Sequence, residues 1–300
     1  MKNLVADEQY CSVLKQILEE GWMAPNRTEY NAQKLIQKTM YFDLGKGELP
    51  LLKTKHVAWK TAIKEMLWIY QKASNKVQDF RDMFTNGSTI WDGWEGEDGT
   101  IGKAYGYQIA TFHQVENLIK TLKTNPQDRS MMLNLWNWQD KSEMNINPCC
   151  FLTMWDVTQG KLNCTLIQRS CDMGLGVPFN MIQFAALQIA IAWAVGLKPG
   201  TLCHFLQNAH VYENQLDSIK KQLNNYNELL DFSPTSDSYL AVIVNSIPTL
   251  HMRGEYLPYE EITVDQALER FYSIEPEDFI LEDYHHFNAI NMGEVAGAMK

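Results

Sequence analysis

The run Phe179–Leu197, FNMIQFAALQIAIAWAVGL, constrains the fold more than any other segment of the chain. It is nearly apolar and almost long enough to cross a bilayer. Yet Asn180, Gln183 and Gln188 interrupt it, and Pro178 precedes it. Amides inside an apolar segment need protein partners for their hydrogen bonds. The run therefore reads as the buried central helix of a large domain, not as a membrane span.

The rest of the chain can supply that burial. Of 300 residues, 45% are hydrophobic, enough for a sizeable core. Nine Trp add rings that fill cores and also build flat sites for planar ligands. A net charge of -10 argues against wrapping nucleic acid, which requires Lys and Arg against phosphates. It leaves room for a small phosphorylated ligand held by a few local arginines. The cysteines are Cys11, Cys149, Cys150, Cys164, Cys171 and Cys203; none forms a CxxC pair, so no zinc site is expected. The start, MKNLVADEQYCSVLKQILEEGW, becomes charged too early for a secretory signal, so reduced thiols in a cytoplasm are expected.

Periodicity predicts helices over Glu8–Glu20, Val57–Gln71, Gln114–Thr124 and Val211–Leu223. Strand candidates are MYFDL, MMLNLWN, CCFLTMWDV, KLNCTLIQRS, a short extended His204–Asn208, SYLAVIVNS and EDFILEDY. Thr158-Gln159-Gly160 signals a hairpin between two of them. Gly87–Gly102 reads as a loop rich in Gly, Asp and Trp. Strand-rich and helix-rich blocks alternate without a βαβ rhythm, so one α+β domain over residues 1–300 is expected.

Four motifs carry chemistry. Asn147-Pro148-Cys149-Cys150 places a thiol where a strand begins, and adjacent strand residues face opposite ways, so one of the pair can face a cleft. Alone it fits a buried structural cysteine as well as a nucleophile. Gln168-Arg169-Ser170-Cys171-Asp172 combines a guanidinium, a hydroxyl and a carboxylate at a strand end: a surface ion pair or a phosphate site. Gly174-Leu175-Gly176-Val177-Pro178-Phe179-Asn180 lets the backbone approach a ligand, and the Asn180 amide pairs a donor with an acceptor, as the edge of uracil does. Asn180 fits a helix N-cap equally well in isolation. His210 and Tyr212 are two residues apart, so on a strand they would share a face.

In this order, PC, QRSxDMGLGVPFN and HxY, with EMLW and IWD upstream, the motifs resemble the thymidylate synthase family from about Arg27 to about Leu216. KTKHVAWKTAIKEMLWIYQ and IWDGWEGEDGTIGKAYGYQ resemble the form found in Bacillus-type organisms and their phages. The resemblance implies a three-layer α+β fold in which a large twisted mixed sheet packs on helices, in a homodimer. It implies dUMP and 5,10-methylenetetrahydrofolate as substrates, with no metal, and dTMP and dihydrofolate as products.

Residue by residue, the resemblance implies Cys149 as the nucleophile at uracil C6. Glu65 would organise proton transfer and Tyr105 would assist removal of the C5 proton. Asn180 would read the uracil edge. Arg27, Arg169 and Ser170, with Gln168 beside them, would hold the phosphate, and Arg129 would reach the partner's phosphate site. His210 and Tyr212 would hold the ribose 3′-hydroxyl. Asp172 would bind the pterin ring, and Trp91, Trp94, Ile146, Leu175, Gly176 and Phe179 would line the folate cleft.

The sequence departs from the family pattern at four places. Ser130 follows Arg129 where a second arginine is usual, and Cys150 stands where a His usually follows the nucleophile. The Arg27 loop reads RTEYNA in place of RTGTGT, and GEVAGAMK runs past the usual chain end. These departures keep open a dUMP hydroxymethylase of the same fold, in which water captures the methylene intermediate. Trp91 and the folate-cleft residues favour methylation, because water must be excluded at that stage. A non-catalytic nucleic-acid-binding relative is opposed by Cys149, Glu65, Asn180 and Arg169 together, and by the acidic charge.

Overall fold

The apolar run folds as a helix, Gly176–Val195, with sixteen of its twenty residues buried. The structure is a computed structural model that describes residues 3–26, 28–232 and 239–293. By length and composition this helix could span a membrane, but 83% of its most apolar window lies inside the protein. Its interior amides donate within the protein: Gln188 Nε2 donates to the Leu162 carbonyl at 2.7 Å, although its Oε1 is buried without a partner. Gly196 ends the helix at φ 80°, a left-handed conformation that favours glycine.

A seven-stranded mixed sheet flanks this helix. Its strands are β1 (Trp22–Ala24), β2 (Ala32–Asp43), β3 (Met132–Asn134), β4 (Cys150–Thr158), β5 (Lys161–Gln168), β6 (Cys171–Asp172) and β7 (Lys198–Tyr212). The order is β1-β2-β7-β5-β4-β3, with β6 paired to β7. β7 runs parallel to β5 and β6, and the other pairs are antiparallel. A separate hairpin-like pair, β8 (Thr249–Met252) and β9 (Phe279–Glu282), lies near the C-terminal end. The central helix packs on β5 and β7, and helices Trp59–Met66 and Val264–Tyr272 pack on its other side, giving three layers.

The two faces of the sheet differ. On the inner face, Phe42, Leu202, Cys164 and Trp155 form one buried row across β2, β7, β5 and β4. On the outer face, Tyr41, Cys203, Thr165, Met154 and Met132 form a parallel row across five strands. There Tyr41 is 58%, Met154 45% and Met132 46% exposed. The strands thus carry apolar residues on both faces, and helices cover one of them.

Most elements match the sequence reading, including helix Gln114–Thr124 and the tight turn at Gln159 and Gly160, both at positive φ. Three expectations are corrected. SYLAVIVNS is not a strand: Tyr239–Asn245 is helical, and Ile243 and Val244 pack against Leu4 and Leu229. The extended segment at His204–Asn208 is the middle of a 15-residue strand that runs on to Tyr212. The helix expected from Val211 accordingly starts later, at Leu216, and reaches Asp231.

Candidate active site

The hairpin of β4 and β5 brings the first two motifs together. Cys149 lies just before β4, half-buried, while Cys150 is buried at 5% exposure. The Arg169 N–H donates to the Cys149 carbonyl at 2.8 Å, joining the two strand ends. The Arg169 side chain lies along the cysteine loop: Nη2 donates to the Asn147 carbonyl at 3.2 Å and Nε to the Pro148 carbonyl at 3.4 Å. Its guanidinium sits 5.5 Å from the Trp136 ring. A cation is therefore fixed against the loop that carries the thiol by backbone carbonyls and an aromatic ring.

On the opposite side of Cys149 stands Tyr105, whose hydroxyl accepts the Cys149 N–H at 3.2 Å. Tyr105 has φ 47° and ψ -108°, a sparsely populated conformation for a bulky residue, and such strain concentrates at functional sites. Burial pushes its phenol well above the ordinary range, so it stays protonated.

Glu65 lies in the last turn of the helix Trp59–Met66, which runs into a wider π-type turn at Leu67–Gln71, a feature often found at functional sites. Burial pushes its carboxyl up to about 7, against the opposing hydrogen bonds from Trp91 and Gln183. Trp91 Nε1 donates to one oxygen at 2.8 Å, and Gln183 Nε2 to the other at 2.9 Å. Asn180 Nδ2 donates to Gln183 Oε1 at 3.1 Å. Gln168 Nε2 donates to Asn180 Oδ1 at 3.1 Å and to the Ser170 carbonyl at 3.0 Å. Asn180 is the fifth residue of the central helix, so it is no N-cap.

Asp172, on β6, accepts at Oδ1 from the Gly174 and Leu175 N–H groups and from Gln215 Nε2. Leu175 and Gly176 lie against it, Gly176 opens the central helix, and Trp94, Ile146, Leu175 and Phe179 are half-buried apolar residues packed on the edge of the main core. A planar ligand with polar groups at one end fits such a surface, because apolar residues can cover its faces while the carboxylate holds its edge. Trp91 packs edge-on to both Trp94 and Tyr105, with centroids 5.6 and 5.5 Å apart. His210 and Tyr212 also meet edge-on, at 5.0 Å. Burial lowers the His210 pKa, which keeps its ring neutral.

The structure thus gathers Cys149, Tyr105, Arg169, Gln168, Ser170, Asn180, Glu65 and Trp91 into one bonded group. It does not bring Arg129 to it within the chain: Arg129 is exposed, in a turn before β3. Arg27 and the tail from residue 294 onward lie outside the described residues. Among the described residues no cluster of His, Cys, Asp or Glu could hold a metal ion.

Sequence reasoning missed four polar residues here. Gln183 links Glu65 to Asn180; its signal was an amide inside an apolar helix. His204, fully buried, lies with Nε2 2.7 Å from Gln168 Oε1, and burial pushes its pKa down to about 3. Gln215, also fully buried, holds Asp172 and accepts the Tyr212 N–H at 3.1 Å. Lys55 donates to the Gly174 carbonyl at 2.6 Å, and burial pushes its pKa down to about 8.

Comparison with known proteins agrees with this geometry. The thymidylate synthase family profile matches residues 8–237. The chain is 44% identical over 286 residues to a thymidylate synthase of Clostridium beijerinckii, covering 95% of this chain and 97% of that one. It is 35% identical over 299 residues to that of Bacillus phage phi3T, covering 93% and 95%. Among solved structures, thermostable thymidylate synthase A from Bacillus subtilis superposes with a TM-score of 0.80 at 34% identity, covering 97% and 99%. A matching fold and similarity along nearly the whole length lead to one conclusion: the chain belongs to the thymidylate synthase family.

Proposed function

We propose that residues 1–300 form one catalytic domain that converts dUMP to dTMP, with 5,10-methylenetetrahydrofolate supplying both the one-carbon unit and the hydride and leaving as dihydrofolate. The observation that carries this reading is the bonded chain from Trp91 through Glu65 and Gln183 to Asn180, beside a cysteine whose loop is gripped by an arginine. Cys149 adds to C6 of the pyrimidine, which makes C5 nucleophilic. Asn180 reads the O4 and N3–H edge and steadies charge developing on O4. Arg27, Arg169 and Ser170, with Gln168 at their side, hold the phosphate; His210 and Tyr212 hold the ribose hydroxyl. Tyr105, with its protonated phenol 3.2 Å from the Cys149 nitrogen, assists loss of the C5 proton. Glu65 exchanges protons near neutral pH, as its buried carboxyl permits.

Asp172 and the apolar surface of Trp91, Trp94, Ile146, Leu175, Gly176 and Phe179 hold the folate and keep water from the exocyclic methylene. The exposed apolar row of the outer sheet face supports a homodimer formed back to back, with Arg129 entering the partner's phosphate site. Six cysteines without a disulfide suit a reducing cytoplasm. A core cluster reaching from Ala6 to Met292 supports one domain.

The test is the mass of the nucleotide formed from dUMP and methylenetetrahydrofolate. A methylated product with dihydrofolate is expected. A hydroxymethylated product with tetrahydrofolate would overturn the reductive step.

A further inference from the structure

Asn180 is held between two other amides, and each is fixed on its far side by an acceptor: a backbone carbonyl beyond Gln168 and, while it is ionised, the Glu65 carboxylate beyond Gln183. A carbonyl oxygen only accepts. The Gln168 nitrogen that lies 3.0 Å from the Ser170 carbonyl must therefore be its amide nitrogen. That leaves Gln168 Oε1 facing His204 Nε2 at 2.7 Å, so His204 carries its proton on Nε2. Its Nδ1 is buried without a hydrogen-bond partner, so the other tautomer would bury an unsatisfied N–H.

On the far side an indole N–H only donates, which makes Glu65 the acceptor for Trp91. The other carboxyl oxygen takes the Gln183 amide nitrogen, and Gln183 Oε1 then faces Asn180 Nδ2. Every bond runs in one sense, from His204 through Gln168, Asn180 and Gln183 to Glu65.

We propose that His204 and Gln183 are specificity-determining positioning residues, which lock the Asn180 amide in the orientation that matches uracil and opposes cytosine. The proposal rests on Asn180 reading the pyrimidine edge. In the locked orientation Asn180 has one N–H and one lone pair left for a ligand. Uracil offers an acceptor at O4 beside a donor at N3. Cytosine offers the reverse, an amino donor beside a bare N3, and would need the amide turned over. A turned amide sets nitrogen against nitrogen at Gln168 and oxygen against oxygen at Gln183, both at 3.1 Å. Relief would require turning both neighbours, protonating Glu65 on the oxygen that faces Gln183, and moving the His204 proton to the unpartnered Nδ1. Discrimination thus resides in two residues that do not touch the nucleotide, and sites built on fixed hydrogen bonds reject the wrong partner strongly.

The experiment is calorimetric binding of dUMP and dCMP to the full chain and to Asn180→Ala, His204→Leu, His204→Gln, Gln183→Met and the double variant His204→Leu/Gln183→Met. The unchanged protein should prefer dUMP by more than about 100-fold. In the double variant that ratio should fall at least about tenfold, with dCMP tighter and dUMP weaker. His204→Gln keeps a donor for Gln168 and should keep the ratio. An unchanged ratio in both His204→Leu and Gln183→Met, where Asn180→Ala has lost it, overturns the lock. An unchanged ratio in Asn180→Ala instead overturns the uracil-edge reading, and the lock with it. Should His204→Leu fail to fold by circular dichroism, the ratio in Gln183→Met decides alone.

Discussion

The Trp91 indole N–H donates to Glu65 Oε2 at 2.8 Å, in a setting where Glu65 is only 8% exposed. The bond favours the ionised carboxylate while burial disfavours it, and burial prevails, leaving a pKa of about 7. Removing the donor should let burial act more fully. In Trp91→Phe the Glu65 bend in the pH profile of kcat/KM should move upward by about one pH unit, the worth of one hydrogen bond to a charge. A bend that stays in place or moves downward would contradict this balance.

The same carboxyl ties stability to pH. Its folded pKa lies above the ordinary value of 4.5, so between those values the native state holds more proton than the unfolded chain. Its stabilising share is full at low pH and is lost as pH rises through about 7. Urea unfolding at pH 5 and pH 8 should show the unchanged protein losing about 2–3 kcal/mol that Glu65→Gln does not lose. Equal losses in the two proteins would remove Glu65 as the cause.

The adjacent thiols should separate cleanly. Cys149→Ala should abolish turnover, leave dUMP binding largely intact and change stability by less than about 0.5 kcal/mol, because the thiol is only half-buried. Cys150→Ala should cost about 1 kcal/mol of stability, since Cys150 belongs to the core, and keep activity within about tenfold. Turnover surviving in the first variant would exclude Cys149 as nucleophile.

Arg169 holds the cysteine loop through two carbonyls and faces the proposed phosphate. A lysine carries the charge on one nitrogen and cannot fork between the loop and a ligand. Arg169→Lys should raise the KM for dUMP by at least about tenfold, while binding of 2′-deoxyuridine, which lacks the phosphate, changes little. Equal losses for both ligands would mean that the guanidinium serves the loop alone.

Thr165 occupies the centre of the exposed row of the outer sheet face, between Cys203 and Met154. An arginine there would place an unpaired charge in the middle of the proposed interface, at a cost of several kcal/mol. Sedimentation of Thr165→Arg should show a shift toward monomer, with activity falling alongside. A variant that sediments like the unchanged protein would direct the dimer to another face.

The candidate site was more legible in the sequence than topology. Cys149, Glu65, Asn180 and Arg169 sit in short local motifs; the fold ties Arg169 to the cysteine loop and Asn180 to Glu65 through Gln183. What escaped was set by contacts distant in sequence. SYLAVIVNS holds one aromatic and three β-branched residues, and seven helical residues are too few for periodicity to decide. Its helical end is fixed by Lys53, whose buried ammonium donates to the carbonyls of Ile243 and Ser246, about 190 positions away. The long strand β7 was obscured by Pro199 and Gly200 near its start, residues that ordinarily mark a break. His204 looked like any core histidine, since its partner Gln168 lies on the neighbouring strand.

That strand has a pharmacological consequence. Along β7, His204 lies on the buried inner side against Gln168, while its neighbours Cys203 and Phe205 lie on the opposite, outer side. Only one thickness of backbone separates the two compartments. A compound wedged against the outer face, within the proposed seam between subunits, would displace neither nucleotide nor folate, yet it would strain the peptide that carries His204. Its inhibition would be noncompetitive toward both substrates, and raising dUMP would not overcome it.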